Sequence, residues 1–535
     1  MDTSALERLR GGRTTTGGIL LLAVVVVVIL VSRRFMQYRH DPREPPVVPA
    51  RIPYVGHIIG LIRYGGKYFQ MIDENYKYPI YTLPLLHSRM YLVTSPVLAS
   101  TIQRASKTLS FNKLVGYSLP GMIEYDEEAM KVCMNGTEKS DENPGLIPAM
   151  HDMLYSVLAP GKHLDEISEL VLKGHAEYLN GLARRESQTI DLYRWTRDMF
   201  SVCTARALYG PENIFAMQPE LVEAFWDLDA GMTKLMPGIL PFIVARKAYY
   251  ARKKLFAAFI EYIKQKRYLK ASQVIRNRVE INAKHGLNTK MLGHGEVVFL
   301  WGSLVNATQS SFWLINNIFS RPELLKEIRA EIEAHAMTTQ KEATMRVLDM
   351  RALRNSCPLL VSVYRETLRM TANVNSSRLV TADTMVADQY LLRANSVVQI
   401  VSGVIHSDPA VWGHDAAEFN PRRFYNSTAG NFTARDEAKQ GSKQVNPVAF
   451  RAFSGGSVLC PGRHFAQVEI LGLAAAMAMC FDVTAVDGGP MPVPGKDETG
   501  MLAVDRPLEA VHVNIRRRRG WEDATIAYDA HGPPA

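Results

Sequence analysis

A single cysteine, Cys460, lies in the segment 452–466 (AFSGGSVLCPGRHFA), between a glycine-rich approach and a Pro-Gly pair. The glycines at 455, 456 and 462 remove side-chain bulk and permit tight turns, so a flat ligand can approach the sulfur closely. The following run, FAQVEILGLAAAMAMCF, predicts a buried helix whose amino terminus would stabilise a thiolate placed just ahead of it. This arrangement suits a thiolate metal ligand, although a bare cysteine in such a turn is more commonly an inert core residue.

The residues around Cys460 favour the metal ligand. Phe453, Gly456, Cys460 and Gly462 complete the pattern F-x-x-G-x-x-x-C-x-G, which resembles the haem-ligand loop of the cytochromes P450. The resemblance implies that Cys460 is the proximal thiolate, and the metal ligand, of a haem b iron. It also implies that Phe453, Gly456 and Gly462 belong to the cofactor-binding loop. A proximal thiolate donates electron density to the iron and favours cleavage of the O–O bond of dioxygen.

Three more motifs of the family stand before this loop, in the family's order. An apolar helix carries E-x-x-R at Glu366 and Arg369, whose side chains lie at i and i+3 within reach of each other. H-S-D-P with a tryptophan occupies 406–412, and F-N-P-R-R-F occupies 419–424. In the family, the E-x-x-R pair and the arginine of the third motif, here Arg423, form a brace that supports the cysteine loop. The resemblance covers essentially the whole chain.

Two of the family's usual contacts to the haem propionates are missing. The residue two before the cysteine, commonly Arg or His, is Val458, and the first third of the chain has no W-x-x-x-R. Arg378, nine residues after Arg369, stands where the family often supplies a propionate contact, and a surface arginine is the alternative. His151 is a further candidate, although a residue at a helix start with no ligand role is the commoner case.

The apolar run 299–319 (FLWGSLVNATQSSFWLINNIF) predicts the helix that crosses the distal face of the haem. The acid and hydroxyl that the family uses to deliver protons to dioxygen align with Val305 and Asn306. A slip of one or two residues in this alignment would instead offer Thr308. We therefore predict Asn306 and Thr308 as the catalytic residues, with Asn306 ordering a water for proton delivery. Helix packing is the alternative role for Asn306.

The tryptophan and asparagine of this run, with the F-W pair after them, resemble the branch that contains sterol 7- and 12-hydroxylases and prostacyclin synthase. That branch includes monooxygenases and a rearrangement enzyme that does without oxygen chemistry. We expect Trp301, Leu304 and Val305 to line the substrate pocket. Such a lining favours a bulky apolar molecule, a terpenoid, sterol or polyketide of secondary metabolism.

Three functions are compatible with these residues. The leading one is a haem-thiolate monooxygenase that inserts one atom of O2 into a small apolar substrate. No G-x-G-x-x-G fingerprint follows a strand, so its electrons come from another protein, NADPH-cytochrome P450 reductase. The second is an isomerase or dehydratase that acts on a peroxide or similar substrate without O2. The third and weakest is a haem- or lipid-binding protein without catalysis.

Basic residues surround the cysteine loop in sequence and favour a docking surface for an acidic reductase, although a solvated face is the commoner explanation. They are Arg422, Arg423, Lys439, Lys443 and Arg451. The formal net charge of +9 is otherwise spread along the chain, which argues against a nucleic-acid partner. The five cysteines include no C-x-x-C pair, so they favour a reducing compartment over a disulfide framework.

The amino-terminal region predicts a membrane anchor. The uncharged stretch 14–32 contains ILLLAVVVVVILV, and as a helix it would span roughly the 30 Å hydrocarbon core of a bilayer. A cleaved signal peptide is the alternative, but no small-x-small cleavage site follows. Because the cysteine usage favours a cytosolic body, we expect a single-pass anchor in the endoplasmic reticulum membrane with the catalytic domain in the cytosol.

The rest of the chain shows mostly helical periodicity with fewer strand-like runs. It predicts a mainly α fold with a minor β region, the cytochrome P450 fold, preceded by one transmembrane helix. The apolar, turn-broken run 235–244 (LMPGILPFIV) predicts a buried segment, or a loop that dips into the same membrane. The predicted organisation is a short segment 1–16, an anchor 17–32, a basic, proline-rich linker 33–56, a haem-thiolate catalytic domain 57–520 and a tail 521–535.

Overall fold

The computed structural model describes residues 40–52, 55–85, 88–105, 107–137, 145–182, 187–339, 344–425 and 447–530. Helices dominate this part of the chain, as the periodicity predicts. Two of them are central: one carries the apolar run 299–319, and the other follows the cysteine loop.

The helices of the described residues are α1 Gly56–Tyr64, α2 Lys67–Tyr76, α3 Pro96–Arg104, α4 Phe111–Ile123, α5 Glu127–Met134, α6 Leu146–Val157, α7 Lys162–Leu182, α8 Leu192–Tyr209, α9 Ile214–Met217, α10 Leu221–Leu235, α11 Pro241–Val244, α12 Arg246–Lys264, α13 Gln273–Lys284, α14 Thr289–Phe319, α15 Pro322–His335, α16 Met350–Asn355, α17 Pro358–Thr371, α18 Ser402–Ser407, α19 Pro409–Trp412 and α20 Arg463–Cys480. Short 3-10 turns occupy Arg267–Lys270, Pro447–Ala449 and Gly456–Val458.

The strands are β1 Ile80–Pro84, β2 Arg89–Val93, β3 Leu109–Ser110, β4 Gln188–Asp191, β5 Met337–Thr339, β6 Met345–Asp349, β7 Ser376–Val380, β8 Thr384–Val386, β9 Tyr390–Leu392, β10 Val397–Ile400, β11 Phe481–Ala485, β12 Lys496–Asp497, β13 Arg506–Pro507, β14 His512–Arg517 and β15 Thr525–Asp529.

The helix α14 crosses the centre of the protein. Its first turn is capped by Asn288, whose side chain accepts a hydrogen bond from the N–H of Met291 at 3.1 Å. It packs against α8, α12, α17 and α20, which together bury it on nearly every side. Most residues of α14 are buried, polar and apolar side chains alike, so the helix lies in the core of the domain.

The largest sheet has five strands in the order β1-β2-β10-β7-β3. β10 runs parallel to β2, and the other pairs are antiparallel. β7 is hydrogen-bonded on both edges, so the position of Arg378 within it is fixed by Val398 of β10. The backbone of Arg378 is therefore held in place by the sheet.

Part of the predicted linker 33–56 packs against the large sheet. Within the predicted linker 33–56, the N–H of Val48 donates to the carbonyl of Thr82, and the N–H of Thr82 donates to that of Pro46. Glu44 is buried against Arg89 and Tyr91, so residues 44–48 of the predicted linker lie against the sheet.

The predicted tail 521–535 contains a strand. Residues Thr525–Asp529 form β15, which pairs in parallel with Met345–Asp349 of β6 and belongs to the domain. The predicted anchor, 17–32, lies outside the described residues. No helix within the described ranges is long and apolar enough to cross a membrane.

Candidate active site

The cysteine loop is a tight turn closed on itself. The N–H of Cys460 donates to the carbonyl of Phe453 at 2.9 Å, and the N–H of Leu459 donates to that of Gly456 at 3.2 Å. Gly456 has φ +63°, and a Cβ there would lie 2.8 Å from the Cβ of Gln103 on α3. Both the backbone conformation and the close approach require glycine at this position.

Helix α6 holds the same loop from the side. The Nε2 of His151 lies 3.0 Å from the carbonyl oxygen of Ser457, and the hydroxyl of Tyr155 donates to the carbonyl of Leu459. The two rings pack together with their centroids 4.4 Å apart. The structure thus places His151 on the backbone of the cysteine loop, with Tyr155, which sequence reasoning missed. The available sequence signal was that Tyr155 follows His151 by four residues, which places both side chains on one face of the helix.

The sulfur of Cys460 lies just ahead of α20. Burial raises the pKa of the Cys460 thiol, while the backbone N–H groups of Gly462 and Arg463 and the Arg463 guanidinium act in the opposite direction. A Cβ at Gly462 would lie 3.8 Å from the sulfur, so this side of the thiol stays free of side chains. A buried thiolate is stabilised by a cation beside it, and a haem iron held by Cys460 would supply that charge.

The predicted brace is assembled by α17 and the segment after α19. Arg369 donates to Glu366 through Nε and Nη2, each at 2.8 Å, and Arg423 donates through Nε at 3.0 Å. The N–H of Asn420 adds a further bond to the same carboxylate at 3.0 Å. The structure therefore brings Glu366, Arg369 and Arg423 together. A buried carboxylate with this many charged and neutral donors is fully satisfied.

The brace continues to the cysteine loop through His406. Arg369 donates from Nη1 to the carbonyl of His406 at 2.6 Å, and the N–H of Arg451 donates to the His406 Nε2 at 2.9 Å. That second bond requires an unprotonated Nε2. Burial, with the charges of Arg369 and Arg451, lowers the pKa of His406 to about 3, so the ring is neutral. The E-x-x-R motif and the approach to Cys460 are thus joined by one hydrogen-bonded chain.

One face of α14 is open. Gly302 is exposed in the middle of this buried helix, and a Cβ there would meet nothing within 4 Å. Ser303 is half-buried, with its hydroxyl donating to the carbonyl of Phe299 at 2.8 Å. Between 304 and 319, Asn306 is the one residue that is not buried. Positions 302, 303 and 306 share a helix face, so they border a common opening.

The amide of Asn306 is oriented by a distant segment. Its Oδ1 accepts a hydrogen bond of 2.8 Å from the N–H of Val504, in the segment just before β13. Because that bond uses the oxygen, the Nδ2 group is left as the donor. No hydrogen bond from Nδ2 to another described residue is found.

The remaining candidates on α14 lie elsewhere. Leu304, Val305 and Thr308 are each 0% exposed, and the Thr308 hydroxyl donates to the carbonyl of Leu304 at 2.8 Å. Their burial does not support a pocket-lining role for Leu304 and Val305 or a catalytic role for Thr308, because the helical period turns all three towards the core. Trp301 is half-buried, and its Nε1 donates to Asp229 at 2.9 Å.

Two buried arginines fit the carboxylates of a haem. Arg378 donates from Nη1 to Ser376 and Ser377, while its Nη2 has no partner among the described residues. Arg451 donates from Nη1 to the carbonyl of Val448, and its Nε and Nη2 are likewise unpartnered in the described ranges. Buried cations without an anion are costly, so an anionic group belongs beside them. The residues present therefore fit a haem, whose propionates these arginines would bind and whose iron Cys460 would hold.

The predicted basic docking surface is largely corrected. Arg451 is only 2% exposed, and Arg423 is used by the brace, so neither is free on a surface. Arg422 is exposed and pairs with Glu327. Lys439 and Lys443 lie outside the described residues. Arg451 was misjudged because charge in a sequence predicts exposure; its flanking apolar residues, in PVAFRAF, were the contrary signal.

The fold is mainly helical, and Cys460 lies in a tight loop ahead of a buried helix. Together with the brace of Glu366, Arg369 and Arg423, and with two buried arginines that have no anionic partner among the described residues, these features are those of a haem-thiolate protein. Comparison with known proteins agrees. The family model described as Cytochrome P450 matches residues 45–509. The chain belongs to the cytochrome P450 family.

The chain is similar to several relatives, and it shares its fold with a solved structure. It is 29% identical to a cytochrome P450 monooxygenase, nodJ, of Hypoxylon pulicicidum, over 90% of this chain and 91% of the relative. It is 26% identical to the 25-hydroxycholesterol 7-alpha-hydroxylase of Rattus norvegicus, over 63% of this chain and 82% of that one. A cyanobacterial P450 solved with retinoic acid shares the fold, with a TM-score of 0.66 at 18% identity, over 89% of this chain and 99% of that one.

Membership establishes the enzyme class and the cofactor. The chain is a cytochrome P450 monooxygenase whose haem takes a cysteine thiolate as axial ligand, as the loop around Cys460 predicts. Enzymes of this family use dioxygen and a partner reductase and act on apolar substrates.

Proposed function

We propose that this enzyme inserts one atom of O2 into a bulky apolar substrate of fungal secondary metabolism, with electrons from NADPH-cytochrome P450 reductase. The observation that carries the proposal is the open face of α14, where Gly302, Ser303 and Asn306 border space beside an otherwise buried helix. The similarity to fungal monooxygenases over 90% of the chain supports the same reaction class.

The haem would supply the redox chemistry, and the chain would supply positioning and protons. Cys460 would hold the iron from the proximal side, with its loop fixed by Phe453 and by Tyr155. On the distal side, Asn306 would hold a water through Nδ2, because its Oδ1 is engaged by Val504. Ser303 donates to its own helix and keeps its oxygen lone pairs free to accept from that water.

The substrate class rests on the space beside Gly302 and on nearby charges that are already paired with each other. Gly302 leaves room for a bulky group, and the half-buried Trp301 is held in place by its bond to Asp229. Asp229 is itself paired with Arg506 at 3.2 Å, so these charges are satisfied and are not offered to a ligand. A terpenoid, sterol or polyketide fits such a site better than a charged molecule does.

The membrane location rests on exposed apolar side chains. Within the run 235–244, Ile239, Leu240, Phe242, Ile243 and Val244 are all exposed around α11. The interpretation of this run as buried is therefore set aside in favour of a loop that dips into a membrane. With the predicted anchor 17–32, it supports attachment to the endoplasmic reticulum with the domain in the cytosol.

Reconstitution with reductase tests the reaction. The full-length protein in vesicles with NADPH-cytochrome P450 reductase is given terpenoids, sterols and polyketides under isotopically labelled dioxygen. We expect product that requires NADPH and carries one labelled oxygen atom, with Cys460→Ala as the inactive control. Turnover of hydroperoxides or epoxides without reductase would instead establish an isomerase or dehydratase. Absence of both, with function intact in Cys460→Ala, would establish a binding protein.

A further inference from the structure

Arg378 and Arg451 form a pair of buried, unpaired cations. Each side chain is 2% exposed, and no carboxylate of the described residues forms an ion pair with either. Burial lowers the pKa of both guanidinium groups to about 10, and the charge of Arg451 contributes to the shift at Arg378. Two like charges at this depth require an anion, and preferably one with two negative groups.

Both arginines lie against the glycine-rich approach to Cys460. A Cβ at Gly455 would lie 3.5 Å from Nη2 of Arg451 and 2.9 Å from Oε1 of Gln103, whose Nε2 is a further unpartnered donor among the described residues. On the other side, Ser376 accepts from Arg378 at 3.0 Å and from the hydroxyl of Ser454 at 3.1 Å. The free donors therefore flank residues 454 and 455.

Arg451 is held by its backbone and by one nitrogen atom of its side chain. Its backbone N–H donates to His406, and its Nη1 donates to the carbonyl of Val448. Two of its nitrogen atoms, Nε and Nη2, remain for a ligand, which suits the two oxygens of a carboxylate. A haem carries two propionates, and Val458 cannot bind either of them.

We propose that Arg451 binds one haem propionate, next to Arg378, and so replaces the basic residue that is absent at position 458. The inference depends on the haem cofactor of the family and is independent of the substrate and of the oxygen chemistry proposed above. Arg451 is a cofactor-positioning residue in this assignment, and Gln103 is a neutral donor to the same group.

Haem release from the ferric holoenzyme tests the assignment without any substrate. The rate of release is measured from the transfer of the haem to haem-free myoglobin. The experiment is done once with haem b and once with haem dimethyl ester, whose propionates are neutral. We expect Arg451→Met and Arg378→Met each to release haem b at least about tenfold faster, the cost of a lost charged hydrogen bond. The release of the dimethyl ester is expected to be unchanged.

Matched variants separate this role from a structural one. Arg252→Met removes a buried arginine that has its own partner, Glu124, and should release both haems as the wild type does. Val458→Arg combined with Arg451→Met should restore slow release of haem b. Equal acceleration of both haems in Arg451→Met, or no acceleration of either, would overturn the proposal. If Arg451→Met fails to fold, Arg451→Lys is measured with the same two haems, since lysine keeps the charge but loses the paired donors. Faster release of haem b alone would support the proposal, and equal release rates relative to the wild type for both haems would overturn it.

Discussion

The Oδ1 of Asn306 on α14 accepts a hydrogen bond from the N–H of Val504, across 198 positions of sequence. This contact fixes which end of the amide is free, and it leaves a donor beside the open helix face. An asparagine held this way can order a water but cannot act as a general base through its oxygen.

Asn306→Asp should uncouple the enzyme while keeping the bond to Val504, because a carboxylate retains the acceptor and loses the Nδ2 donor. We expect product per NADPH to fall by about tenfold or more, with hydrogen peroxide formed instead. The measurement is the ratio of product to NADPH on a substrate found in the reconstituted assay. Thr308→Val is the control, since its hydroxyl is buried and bonded to Leu304. Wild-type coupling in Asn306→Asp would contradict this role.

Cys460→Ala should abolish the absorption band of a thiolate-ligated haem in the reduced, carbon-monoxide-bound protein. The reason is that no other described cysteine lies in this loop. The spectrum of the purified protein is the measurement. Cys357→Ala, a change at a fully buried cysteine in front of α17, should keep the band. A band that survives in Cys460→Ala would refute the assignment of the ligand.

Glu366→Gln should destabilise the domain by about 3–5 kcal/mol, because it leaves the buried Arg369 without its counter-charge and removes one of the two carboxylates paired with Arg423. Haem content after purification and the midpoint of urea unfolding measure the effect. Glu327→Gln removes an exposed partner of Arg422 and should cost less than about 1 kcal/mol. Similar losses in the two variants would show that the brace does not bear on stability.

Acid should destabilise the fold through His175 and His406. Burial lowers the pKa of each to about 3, so the folded state keeps them neutral while the unfolded chain takes up protons below about pH 6.5. The contribution of these two histidines to stability is therefore complete above pH 6.5 and is lost as the pH falls towards 3, by up to about 1.4 kcal/mol per pH unit for each histidine.

Urea unfolding at a series of pH values between 7 and 5 measures this slope, within the window set by those shifts. His175→Leu should reduce it, because the histidine ring on α7 packs against Phe200 and a leucine there takes up no proton. Ser168→Ala, a buried change on the same helix, should leave the slope as in the wild type. An unchanged slope in His175→Leu would exclude that histidine as a cause.

Local pattern determined a large part of this protein. The glycines around Cys460 and the i, i+3 spacing of Glu366 and Arg369 are properties of a few consecutive residues, so the thiolate loop and half of the brace could be predicted from them. The long apolar run likewise predicted α14. The family's motif order supplied Arg423 and the haem.

Tertiary structure decided the rest, because each remaining feature depends on a partner far away in sequence. Leu304 and Val305 face the core since α14 is turned by the helices packed around it. Arg451 is buried because His406 and the cysteine loop close over it, although a charged residue by itself predicts exposure. The orientation of the Asn306 amide is set by its hydrogen bond with Val504. That contact could not be predicted from the sequence of α14 alone.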